Sequence, residues 1–80
     1  MEEHRKDPRH RVLKAASIRF NRAAGIDCIV RNLSTSGAAL EVESPIGIPD
    51  DFTLVIKGEQ TPHNCHVAWR REKRIGVLFV

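Results

Sequence analysis

Ile26-Asp27-Cys28-Ile29-Val30-Arg31-Asn32-Leu33-Ser34-Thr35-Ser36-Gly37-Ala38-Ala39-Leu40-Glu41-Val42 reads as a strand, a polar turn and a second strand. The run Cys28-Ile29-Val30 predicts burial on more than one side for the strand from Ile26 to Leu33. Asn32 to Gly37 turns the chain: Asn and Ser side chains hydrogen-bond to nearby backbone in such turns, and glycine accepts a positive φ there. Ala38 to Val42 resumes the extended chain, with Leu40 and Val42 facing alternately to Glu41 and Glu43.

The same period near two extends in both directions, and nowhere does the three-to-four spacing of a helix persist for a dozen residues. Upstream, Leu13 to Phe20 predicts a strand with Ala16, Ile18 and Phe20 on one face and Ser17 and Arg19 on the other, followed by a turn at Asn21 to Gly25. Downstream, Ser44 to Pro49 is a connection whose two prolines cannot donate ladder hydrogen bonds. Phe52 to Lys57 is a fourth strand, Gly58 to Pro62 a turn, and Asn64 to Arg70 a fifth strand in which Cys65, Val67 and Trp69 share one face. Arg71 to Arg74 closes a hairpin into Ile75 to Val80. Six short strands in 80 residues predict an all-β fold, closed or nearly closed into a barrel, since closure removes edges that would template aggregation.

A chain of this length supports one domain and buries roughly 60 to 65 % of its unfolded surface. The net charge is +3, but the basic residues are uneven: Arg5, Lys6, Arg9, Arg11, Lys14, Arg19 and Arg22 crowd the start, and Arg70, Arg71, Lys73 and Arg74 the end. If the two ends meet, one surface becomes strongly positive and favours an anionic partner, a nucleotide, a nucleic acid or a phospholipid surface. On charge alone, a solvated basic surface explains the pattern equally well. The charged opening and the absence of an apolar run predict neither a signal peptide nor a membrane span, and hence a cytoplasmic location. Cys28 and Cys65 are expected as reduced, buried thiols; a disulfide between them is the alternative that the sequence leaves open.

Arg5 and Arg9 stand four residues apart in a segment where Pro8 disfavours helix at Asp7. A guanidinium bonds the edge of guanine or a phosphate in bidentate fashion and stacks on a purine. Taken alone, the pair reads as a frayed basic terminus. The turn from Asn32 to Gly37 reads alone as a hairpin, although its short polar side chains and amides also make a concavity for phosphate or a base edge.

Together, the Arg-x-x-x-Arg pair Arg5/Arg9, the Asn-x-Ser-x-x-Gly turn Asn32/Ser34/Gly37, and Val67-Ala68-Trp69-Arg70 followed by Ile75-Gly76-Val77-Leu78-Phe79 resemble the PilZ domain signature over nearly the whole chain. The resemblance implies a small six-stranded antiparallel β-barrel whose flexible N-terminal segment, residues 1–12, folds over the barrel of residues 13–80 to clamp cyclic di-GMP. By that analogy Arg5 and Arg9 bond or stack on the ligand, Asn32 and Ser34 contact guanine or phosphate, and Gly37 serves geometry. Lys6 and Trp69 are secondary ligand candidates. The function implied is that of a bacterial second-messenger receptor signalling through a protein partner. The chain departs from the family by lacking a helix after the last strand, so one barrel mouth is open or covered by a second subunit, a homodimer being one expected form. It also has His4-Arg5-Lys6 where consecutive arginines are common.

The remaining residues carry less. Trp69 reads first as core and second as a ligand platform. His63 and His66 flank Cys65, but Cys65 and His66 point to opposite faces of a strand, so no metal site is expected. No phosphate loop, nucleophile elbow or activating base suggests an enzyme. The rivals to the receptor reading are a basic β-barrel binding RNA or single-stranded DNA, which would display more aromatics on a strand face, and a PilZ-type adaptor that binds no nucleotide.

Overall fold

Alternation of apolar and polar residues leaves each strand with one side to bury, and in a single layer that side is buried by rolling the sheet on itself. The computed structural model describes residues 9–21 and 25–80. It contains strands β1 (His10–Arg19), β2 (Ile26–Leu33), β3 (Gly37–Val42), β4 (Asp51–Ile56), β5 (His63–Arg71) and β6 (Arg74–Phe79). They form a closed antiparallel barrel in the order β1-β2-β3-β6-β5-β4, with β1 paired to both β2 and β4.

Apart from Trp69, the predicted inward residues fill the interior or pack against it. Ile18, Val30, Leu40, Leu54 and Ile75 are fully buried, and no polar or charged residue is buried among the described residues. Burial of each large aliphatic side chain contributes roughly 1.5 to 3 kcal/mol. Phe52 is buried, while Phe20 and Phe79 pack against the core from its ends. Cys28 and Cys65 are both free and buried. Burial, and secondarily the Asp27 carboxylate and Cys65, push the Cys28 thiol up to about 12. Burial pushes Cys65 up to about 11.

β1 begins at His10, three residues before the expected Leu13, because His10 and Arg11 pair with Leu33 and Asn32 of β2. Gly37 is likewise corrected. It opens β3 and its backbone is not in the left-handed region, which among the described glycines holds only Gly47 and Gly58. Glycine is required there by close approach: a Cβ on Gly37 would overlap the carbonyl oxygen of Val77 on the neighbouring β6.

Candidate functional site

Three irregularities interrupt the ladders, between Arg11 and Lys14 in β1, between Val30 and Asn32 in β2, and between Val67 and Trp69 in β5. A bulge sets two residues of one strand against one of its neighbour and re-aims the side chains that follow. All three irregularities end on one cross-strand row. Arg11 pairs with Asn32, Asn32 with Ala39, Ala39 with Gly76, and Gly76 with Trp69.

Directly paired residues project from the same side of a sheet. Ala39 alternates with the fully buried Leu40, so the row lies on the outer wall of the barrel. Its floor is made of the two smallest residues, Ala39 and Gly76. Ala39 is buried without belonging to the core cluster. At one end lies Trp69, whose indole rests on Gly76 so closely that a Cβ there would overlap Nε1 and Cε2.

This placement corrects the expectation that Trp69 shares the inner face of Cys65 and Val67. Cys65 pairs with Phe79 and Val67 with Val77 along the inner side, but the bulge at Ala68 changes the phase, and Trp69 emerges outside with 44 % of its surface exposed. The reading of Trp69 as a core residue therefore fails.

The polar turn sits at the same corner. Ser34 Oγ accepts from the amides of Gly37 at 3.2 Å and Ser36 at 3.3 Å, and its hydroxyl is 3.3 Å from the Gly37 carbonyl. Ser34 thus shapes its own turn, and β6 is tied to it through the Phe79 amide, which donates to the Ser36 carbonyl at 2.8 Å. Asn32 is half-buried on the outer row, and its side chain has no hydrogen-bond partner among the described residues. Arg9 directly precedes His10, which pairs with Leu33, so the exposed Arg9 stands abreast of Ser34. Beside it, His10, Val12, Leu33, Ser34 and Thr35 line a largely apolar hollow of about 610 Å³ at the barrel mouth. Arg5 and Lys6 lie outside the described residues, as does the arginine-loop segment up to Pro8.

The two histidines flanking Cys65 are engaged elsewhere. His63 approaches Glu59 at 3.0 Å and stacks on Phe79 with centroids 4.3 Å apart, while His66 Nδ1 lies 2.8 Å from Asp51. Among the described residues no three metal-ligating side chains gather.

An outer-wall row joining Arg11, Asn32 and an exposed tryptophan, beside a serine turn that Arg9 borders, sits where two of the sequence motifs converge. A model of the PilZ domain matches residues 3–80. The chain belongs to the PilZ domain family. No curated protein matches it. PilZ domains are a family of cyclic di-GMP receptors, binding modules that act through other proteins. In this PilZ domain, no helix among the described residues is long and apolar enough to cross a membrane.

Sequence reasoning overlooked Arg11 as a member of the row and Ala39 and Gly76 as its floor. The signal available for Arg11 was the concentration of arginine at both chain ends. For Gly76 it was a glycine inside an otherwise regular strand, which marks a close approach.

Proposed function

We propose that this PilZ domain is a cyclic di-GMP receptor that holds its ligand between the arginine segment carrying Arg5 and Arg9 and the outer corner built from Asn32 and Ser34. Lys6 adds charge to that segment, Gly37 keeps β3 and β6 close, and Trp69 offers a flat face for a guanine. The receptor passes the signal to a partner protein by a change in this surface, and the chemistry requires no cofactor or metal.

The observation that carries the reading is the row from Asn32 to Trp69. It supplies a donor and acceptor for a base edge and, seated on a floor of small residues, an aromatic plate for a purine to stack on. Stacking of a base on an aromatic side chain is worth about 1 to 3 kcal/mol. Charge-assisted arginine–phosphate bonds add roughly 1.5 to 3 kcal/mol each.

The nucleic-acid reading is weaker on the same wall. Of the four residues Phe20, Phe52, Trp69 and Phe79, only Trp69 lies on the outside, the phenylalanines being buried or packed against the core. A single plate suits one purine better than a run of stacked bases. Calorimetric titration of the full chain tests the assignment: cyclic di-GMP is expected to bind at micromolar or better affinity. Heat with single-stranded RNA and none with cyclic di-GMP reverses it.

A further inference from the structure

The charge at the two chain ends does meet, and it does so next to Asn32. Arg11 from β1, Arg31 and Asn32 from β2 and Arg74 from β6 line one polar pocket of about 310 Å³. The bulge in β2 explains why adjacent residues contribute to it. Arg31 is the extra residue between Val30 and Asn32, so both side chains stand on the outer side, where Arg11 faces Asn32 across the ladder.

The charges in this pocket do not balance. Arg31 Nη1 is 3.1 Å from Glu41 Oε1, and Arg74 Nε reaches the same oxygen at 3.9 Å. Arg11 has no ion pair among the described residues. Among the described residues, the three guanidinium groups thus stand against one carboxylate, which only Arg31 and Arg74 reach, an excess of two positive charges in a recess. Arg70, by contrast, is matched one to one: it pairs with Asp50 at 2.8 Å and donates to the Pro45 carbonyl at 3.4 Å. Packed guanidinium groups repel one another unless an anion enters, and a planar fork with several N–H donors is matched to phosphate oxygens.

We propose that the pocket of Arg11, Arg31 and Arg74 is a phosphate-binding site, separate from the arginine segment and the serine turn, that takes a phosphate of the nucleotide whose base lies along the row. The identity of the carrier rests on the receptor reading above; the site itself does not. Asn32, shared between row and pocket, sets the distance from base to phosphate. Glu41 holds Arg31 and Arg74 in place when the pocket is free and competes with the phosphate for them.

The test uses the full chain at low ionic strength, with inorganic phosphate and cyclic di-GMP as separate probes. NMR titration with phosphate is expected to move the Nε–H signals of Arg11 and Arg74 and the side-chain amide of Asn32 along one saturating curve. Arg11→Gln and Arg74→Gln should each weaken phosphate and cyclic di-GMP by about fivefold or more, as loss of a charge-assisted bond requires. Lys57→Gln, which removes a like charge elsewhere, should leave both unchanged, and Glu41→Gln should tighten phosphate. A merely structural arginine cluster would not respond to Glu41→Gln in that direction.

Non-saturating shifts shared by all arginines, with no effect of Glu41→Gln, overturn the site and leave cyclic di-GMP binding untouched. Saturable phosphate in this pocket, together with no binding of cyclic di-GMP to the wild-type chain, overturns the receptor reading and the nucleotide as carrier.

Discussion

The indole of Trp69 rests on Gly76, its cross-strand partner on β6, with no room for a single added carbon between them. The bulge at Ala68 brings the ring outside and the missing side chain of Gly76 lets it come against the wall. Gly76→Ala is therefore expected to lift the indole off the wall. Its fluorescence should shift to the red, cyclic di-GMP affinity should fall about tenfold, equivalent to about 1.4 kcal/mol, and Trp69→Ala should cost binding about 1 to 3 kcal/mol. Unchanged affinity in both variants would remove Trp69 from the site.

Gly37 answers to backbone instead of a side chain. Because its missing Cβ faces the Val77 carbonyl oxygen, Gly37→Ala has to push β3 from β6. A loss of about 1 to 3 kcal/mol in urea unfolding is expected, typical of overpacking against a rigid neighbour. A variant as stable as the parent would show that the strands part easily.

Arg9 and Lys73 separate a specific clamp from diffuse attraction. Arg9 borders the serine turn, whereas Lys73 sits at the tip of the β5–β6 hairpin. Arg9→Ala should weaken cyclic di-GMP by about 2 kcal/mol or more and Lys73→Ala should do little. Equal losses by calorimetry would mean that only net charge matters.

The buried thiols give the barrel an alkaline limit. Folding raises both thiols above the ordinary range, Cys28 to about 12 and Cys65 to about 11. Above the pKa of a free thiol the unfolded chain has lost these protons while the folded chain keeps them, so rising pH favours unfolding. Stability should be flat with respect to these groups below about pH 8 and should fall between about pH 9 and 11, by up to about 1.4 kcal/mol per pH unit for each thiol. Denaturant unfolding across that range checks it, and Cys28→Ala should halve the slope.

Where side-chain alternation was the only information needed, the sequence was readable to the residue. β2 runs from Ile26 to Leu33 as its apolar pattern predicts, and Ile18, Leu40 and Val42 face inward as expected. The serine turn was equally legible, because its hydrogen bonds are local. Trp69 was misread for a physical reason: a bulge changes the phase of a strand without a Gly or Pro to announce it, and Ala68 looks like any strand residue. Gly37 owes its identity to β6 coming close from a distant part of the chain, Gly76 owes its identity to the bulge that brings Trp69 over it across the β5–β6 hairpin, and Arg11 owes its place to β2. Strict period-two reading cannot see such pairings. The motif residues pointed to the corner; the register alone exposed the row that crosses it.

Closure of the barrel also limits how the domain can speak to a partner. With β1 hydrogen-bonded to β2 on one flank and to β4 over Ala16–Arg19 on the other, and β5 paired to β4 over His63–His66, each of the six strands is paired on both flanks over part or all of its length. Recruitment by strand addition, a common way for β-domains to capture peptides, is closed along those paired lengths. Along them, whatever reads the ligand state grips side chains and connecting segments, and the message is carried in relief and charge, not in backbone pairing.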